Sequence, residues 1–200
     1  MPSAKPIEVR KARRVDAARI AAVLARAFDD DPLVTWMFPD ERVRRARLPR
    51  FFRTLLRPAL ALDEVYTTTT VEGAAFWNPP GTFPFGWVTN ARVGLAVATM
   101  LGPHLRACAP GLLYFDRHHP TEPHWYLQML GTDPDAQGRG VGSALLRTVL
   151  DRCDEAGARV YLEASKEKNV PFYARHGFVV TEEMQVPRGP RVWAMWRDPR

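Results

Sequence analysis

The sequence predicts a single domain, residues 1–200, of α/β (α+β) class. Three observations carry this. Two hundred residues suit one domain with a real core. With 46% hydrophobic and 25% charged residues, the chain has the composition of a globular protein and too much apolar content for disorder. In the C-terminal half, short apolar runs alternate with segments of helical periodicity, in the order strand, helix, strand, helix, strand, strand.

Ile7–Arg13 reads as a first strand and Val15–Phe28 as an amphipathic helix with Ile20, Val23, Leu24 and Ala27 on one face. Asp16 or its predecessor is placed to cap that helix. Asp29, Asp30, Asp31 and Pro32 stop it, because a residue before proline avoids the helical region. Asp40–Arg57 reads as a second helix. Glu64–Thr70 and Ala74–Trp77, joined at Glu72 and Gly73, read as a hairpin. Asn78–Trp87, rich in Pro, Gly and aromatic residues, reads as a loop. Val93–Leu101 and Leu105–Tyr114 are predicted helices, separated by Gly102 and Pro103, and His118–Pro123 is a second loop. Trp125–Leu130 is a strand, Gly138–Ala156 a helix ended by Gly157, and Val160–Ala164 a strand. Val170–His176 is a short helix with Pro171 in its first turn, followed by strands Phe178–Met184 and Arg191–Trp196.

Composition also narrows the partners. The net charge of +6 favours anions, nucleic acid and polyanionic cofactors alike. The arginine-rich run Arg42–Arg57 places Leu48, Phe51, Phe52, Leu55 and Leu56 at helical spacing, so its arginines suit a solvated face. No nucleic-acid motif accompanies them, and no nucleic-acid partner is expected. The strongest apolar stretch, Val93–Leu101, is far short of the ~20 residues that span a bilayer, so no membrane partner is expected either. The basic N-terminus Met1–Arg13 lacks the apolar region of a secretory signal. Cys108 and Cys153 stand in no metal or redox spacing. A reducing compartment, the cytoplasm, and no metal are the expectations.

Gly131–Gly142, reading GTDPDAQGRGVG, joins a strand to a helix. Gly138, Gly140 and Gly142 allow tight turning and close approach to a ligand. The helix start leaves N–H groups unpaired, and with the helix dipole these favour a phosphate. Ser143 adds a hydroxyl and Arg139 a charge. A Walker loop is excluded by Gly142, where lysine would stand, and a dinucleotide fingerprint by Ser143, where its last glycine would fall.

Gln137-x-x-Gly140-x-Gly142 instead resembles the acetyl-CoA signature of the GNAT superfamily of N-acetyltransferases. The resemblance implies a mixed, mostly antiparallel twisted sheet flanked by helices, with splayed central strands. It implies acetyl-CoA as co-substrate, with its pyrophosphate held by the backbone of Gly138, Arg139, Gly140, Val141, Gly142 and Ser143. Its pantetheine arm would pair with the strand at Met129, Leu130, Gly131 and Thr132. Asn169, Phe172 and Tyr173, followed by Gly177 and Phe178, resemble the pattern in which Asn contacts the cofactor and Tyr stands by the thioester sulfur. A phenol there can protonate the departing thiolate, being protonated at neutral pH. Glu163 is the candidate base, the alternative being an outward-facing strand residue. His119 and His124 are set aside, since a lone histidine is more often structural.

Further segments resemble puromycin N-acetyltransferases: Glu122–Leu127, Phe172–Phe178, Val186–Arg191 and Trp193. The resemblance is clear over about Pro120–Arg197, which contains the expected acetyl-CoA-binding core at about 123–185. It fades over the acceptor-side region, about 28–119, so it does not carry the substrate with it. Trp36, Phe38, Phe76, Trp77, Phe83, Phe85 and Trp87 are the expected wall of a pocket for a small-molecule amine. Asp29–Asp31 either attract an ammonium or form a solvated helix end. A protein lysine or N-terminus as acceptor, and a non-catalytic CoA-binding module, stay as alternatives. The superfamily also admits a homodimer.

Overall fold

The computed structural model describes residues 6–200; Met1–Lys5, the start of the basic N-terminal stretch, lie outside the described residues. The chain opens with strand β1 (Val9–Lys11), a 3-10 turn at Arg14–Asp16 and helix α1 (Ala17–Ala27), which buries Ile20, Ala21, Val23 and Leu24. Asp16 does not cap α1 with its side chain. Its carboxylate accepts two bonds from Arg10, at 2.7 and 2.9 Å, and one from the Arg13 N–H at 2.7 Å. The Arg10 bond, above all, holds the Asp16 carboxyl down at about 2. That stabilisation is present above the unfolded carboxylate pKa near 4 and is lost as pH falls towards 2. Asp16→Asn is therefore expected to lower Tm at pH 7 and to flatten the fall of Tm between about pH 4 and 2. A variant whose acid profile matches the parent would show that the ion pair does not couple to folding.

Asp31 and Pro32 stop α1 as expected, but they also start a short helix, α2 (Pro32–Met37), which the sequence reading did not foresee. The Asp31 carboxylate accepts from the N–H groups of Leu33 and Val34, and proline occupies the first helical turn. Helix α3 (Glu41–Ala61) begins at the Asp40 cap and buries Leu48, Phe51, Phe52, Leu56 and Ala59, leaving Arg42, Arg45, Arg50, Arg53 and Arg57 exposed. Strands β2 (Val65–Thr68) and β3 (Gly73–Asn78) form the hairpin. Helix α4 (Trp87–Leu101) starts well before Val93, so the loop ends at Gly86, and helix α5 (Leu105–His118) runs a turn past Tyr114. Strand β4 (Trp125–Thr132), helix α6 (Val141–Glu155), strand β5 (Val160–Ala164), helix α7 (Val170–Arg175) and strands β6 (Val179–Gln185) and β7 (Arg191–Arg197) complete the chain.

The seven strands form one sheet in the order β1-β2-β3-β4-β5-β7-β6. All neighbours are antiparallel except β4 and β5. Period-two alternation divides the core: Ala74 and Phe76 of β3 face α1 and α3, while Ala75 and Trp77 face α6. Helix α1 lies close on β4, since a Cβ at Gly131 would come within 2.6 Å of Leu24 Cδ2. In the parallel pair only Trp125 with Val160 and Tyr126 with Tyr161 are in register; beyond them the strands part. On its other side β4 stays paired to β3, with a bulge that leaves Gln128 extra between Phe76–Met129 and Trp77–Leu127.

Candidate active site

The gap between β4 and β5 opens into a cleft of about 1000 Å³ that crosses the middle of the sheet. One end is lined by Leu130, Gly131, Thr132, Gln137, Gly138, Gly140, Val141, Gly142 and Ser143, with Asn169 and Phe172 facing them from the α7 side. Gly138 and Gly140 have φ of +73° and +88°, the left-handed region where a side chain is strained. That geometry turns the chain into α6, whose N-cap is Gly140, with no capping side chain. Among the described residues no acceptor meets the N–H groups of Gly138–Ser143, whereas the Ala144 N–H is bonded to the Gly140 carbonyl at 3.0 Å. This bare helix start suits an anion, and a phosphate fits the chemistry of its donors. Gln137 Nε2 closes the loop by donating to the Thr132 carbonyl at 3.2 Å. The Ser143 hydroxyl meets His176 Nε2 at 3.0 Å. The Arg139 side chain turns away from the cleft and pairs with Glu72 at 3.3 Å. From Leu127 onward the β5-facing edge of β4, including Met129 through Thr132, has no strand partner, so its main-chain groups can pair with an extended ligand.

Tyr173 stands mid-cleft on α7, its ring packed edge-on against Phe172 and Phe178 at 5.2 and 5.9 Å. Its hydroxyl has no hydrogen-bond partner among the described residues. Burial, then the charge of Asp31, pushes the phenol upward, so it stays a proton donor across the neutral range. Asp31 is itself buried and accepts from the Ser165 hydroxyl, while Asp30 pairs with Lys166 and Lys168. Asp29 binds Arg44 and Arg45. The three aspartates thus tie the α1–α2 loop to α3 and to the β5–α7 loop, and of the two earlier readings neither a free ammonium trap nor a solvated end describes Asp31.

The other end of the cleft holds Glu163, whose Oε2 accepts from the Tyr126 hydroxyl at 2.8 Å and whose Oε1 lies 3.7 Å from His119 Nδ1. Glu163 faces inward, not outward, with its side chain 9% exposed. Phe83 packs on Tyr126, and Leu112, Phe115, Asp116 and Trp36 also line the cleft. Of the expected aromatic wall only Trp36 and Phe83 line the cleft. Phe38, Phe76 and Trp77 are core residues, and Trp87 is exposed at the start of α4. Phe85 packs on Phe83 at 5.9 Å. Their places are taken by Phe51, Phe52, Phe115 and Tyr126.

The Acetyltransferase (GNAT) family model matches residues 43–178, more than half of the chain. The chain belongs to that family. A GNAT member is an acetyl-CoA-dependent acyltransferase, and the bare loop and the open edge of β4 fit such a donor. An uncharacterized N-acetyltransferase of Schizosaccharomyces pombe is 25% identical over 88% of this chain and 77% of its own length. A Corynebacterium glutamicum structure described as histone acetyltransferase HPA2 and related acetyltransferase is 26% identical, with TM-score 0.73 and 98% of each chain covered. Arylalkylamine N-acetyltransferase 2 of Aedes aegypti shares the fold at 12% identity and TM-score 0.60, over 98% of this chain and 100% of that one. Among the described residues no group of three or more His, Cys, Asp or Glu is placed to hold a metal ion. No described helix is long and apolar enough to cross a membrane.

Several cleft residues of this GNAT chain escaped the sequence reading. Tyr126 falls in the Glu122–Leu127 segment but was given no role, Asp31 was expected as a helix stop that either attracts an ammonium or is solvated and not as a buried partner of Ser165, and Asp116 and Ser165 were not singled out. Nothing local marks them; each reaches the cleft through the packing of a separate element.

Proposed function

We propose that the enzyme transfers the acetyl group of acetyl-CoA to the primary amine of a small molecule with an apolar or aromatic body. The observation that carries this is the make-up of the cleft: Trp36, Leu112, Phe115, Phe83 and Tyr126 line it together with the carboxylates Asp116 and Glu163. Apolar walls take the body of such a ligand and the carboxylates attract its ammonium. The resemblance to puromycin N-acetyltransferases supports an antibiotic-like or aromatic amine as the class, without carrying puromycin itself as the acceptor. In this reading the N–H groups of Gly138–Ser143 hold the pyrophosphate, the open edge of β4 at Met129–Thr132 pairs with the pantetheine amides, and Asn169 and Phe172 flank the arm. Acetyl-CoA supplies an activated thioester carbonyl. Tyr173 donates its proton to the sulfur as the bond to carbon breaks. The name of the Corynebacterium relative favours a second acceptor class, protein lysines.

Puromycin, aromatic amines, polyamines and lysine peptides offered in parallel, with thiol release followed, test this. Small aromatic amines are expected to reach kcat/KM of about 10⁴ M⁻¹s⁻¹ or more, with peptides well below. Efficient turnover of lysine peptides alone would overturn the small-molecule reading and leave the acetyltransferase intact.

A further inference from the structure

We propose that His119 is the base that deprotonates the acceptor amine, with Glu163 as its positioning partner. This rests on the donor site described above, with the thioester beside Tyr173, and reassigns the base from Glu163.

His119 follows the last residue of α5, its N–H bonded to the Phe115 carbonyl at 2.9 Å. The ring lies against Phe83 and Tyr126, at 4.7 Å from each, and lines the cleft. The side chain is 8% exposed, yet Nε2 is buried and has no hydrogen-bond partner among the described residues. A buried polar nitrogen without a partner is costly and uncommon in a finished interior. Nε2 is sealed from the cleft, so the nitrogen that a ligand can meet is Nδ1. Nδ1 faces the Glu163 carboxylate at 3.7 Å, close enough for charge but beyond hydrogen-bond reach. With the hydrogen on the sealed Nε2, the Nδ1 lone pair is left for the amine, and the Glu163 carboxylate stabilises the imidazolium that forms.

Glu163 is less suited to the task itself. One of its oxygens is engaged by Tyr126 and the other faces the imidazole. The proton balance closes with His119 in that role. Nδ1 takes one proton from R–NH3⁺, and the freed lone pair forms the N–C bond at the thioester carbonyl. The C–S bond breaks and sulfur takes the proton of Tyr173. The nitrogen's remaining excess proton restores the phenol, and His119 releases its proton to solvent. The products are amide, CoA thiol and one proton.

The titratable groups against the imidazole are Glu163 and Tyr161 from β5, Tyr126 from β4 and His124 from the segment before it, while Asp116 of α5 lines the same cleft. Burial keeps both tyrosines protonated through the assay range and lowers His124. Any acidic limb that survives removal of His119 therefore belongs to Glu163, Asp116 or His124.

The test compares kcat/KM against pH for the parent, His119→Gln, His119→Ala and Glu163→Gln, on whichever amine the parent acetylates. Acetyl-CoA affinity is measured first for each protein, so that a failed donor site is told apart from a failed base. His119→Gln is expected to lose 10²- to 10⁴-fold near neutrality, the range of general-base catalysis, with rate rising with pH where the parent levels off. Added imidazole is expected to rescue His119→Ala. Glu163→Gln is expected to lose about tenfold and keep a displaced acidic limb, as for an orienting group. Parent-like rate and profile in both His119 variants, or a larger loss in Glu163→Gln than in His119→Gln, would overturn the assignment.

Discussion

Gly140→Asp is expected to weaken acetyl-CoA binding at least a hundredfold while the protein stays folded. Gly140 is the N-cap of α6 at φ +88°, and a Cβ there would meet only Ile7 Cδ1, at 3.6 Å. Space is thus available, and the folding penalty is that of one side chain in the left-handed region, about 1–2 kcal/mol. The carboxylate would accept from the Gly142 or Ser143 N–H, as N-cap aspartates do. It would occupy donors assigned here to the pyrophosphate and add a repelling charge. Charge-assisted bonds contribute about 1.5–3 kcal/mol each, so losing two corresponds to about a hundredfold or more. Calorimetric titration with CoA beside a thermal melt reads both quantities, and Gly140→Ala isolates the strain. Undiminished affinity in the Asp variant would place the phosphate elsewhere.

Tyr173→Phe is expected to lower kcat by 10²- to 10³-fold, within the range of general-acid catalysis, with acetyl-CoA affinity unchanged. The residue is 8% exposed and its hydroxyl has no protein partner among the described residues, so its removal leaves packing against Phe172 and Phe178 intact and Tm nearly unmoved. A loss confined to kcat marks an interaction made only in the transition state. The raised phenol also extends the working range upward: the acid form persists beyond the ordinary value of 10.0. No alkaline fall in rate is expected below that pH. A Phe variant with parental kcat in single-turnover experiments would remove Tyr173 from the chemistry.

The glycine loop and the helix it opens were legible because they are written in local chemistry. Alternating glycines at Gly138, Gly140 and Gly142 dictate a turn into a helix, and the apolar spacing of Val141, Leu145 and Val149 dictates its buried face. Strand β5 falls where its β-branched and apolar run predicts. The acceptor half is built by long-range packing. Every residue of β3 is buried, and composition alone does not separate a fully buried strand from a pocket wall, which is why Phe76 and Trp77 were misassigned. His119 acquires its setting only when the end of α5 meets β5. Asp31 followed by proline carries both a stop and a start signal, and only the first was read. The bounds of α4 were missed because its start follows Gly86 without a capping side chain.

The parallel register of only two residue pairs between β4 and β5 has a consequence for the lifetime of the protein. Strands β5, β6 and β7 are joined to the rest of the sheet along a seam that is mostly unfastened. In the proposed binding mode acetyl-CoA supplies the missing rungs, so folding and donor supply share one equilibrium. A ligand at a hundredfold excess over its Kd adds about 2.7 kcal/mol to the folded state, a large fraction of the 5–15 kcal/mol typical of a domain. Enzyme holding acetyl-CoA is then expected to resist proteolysis longer than the free enzyme.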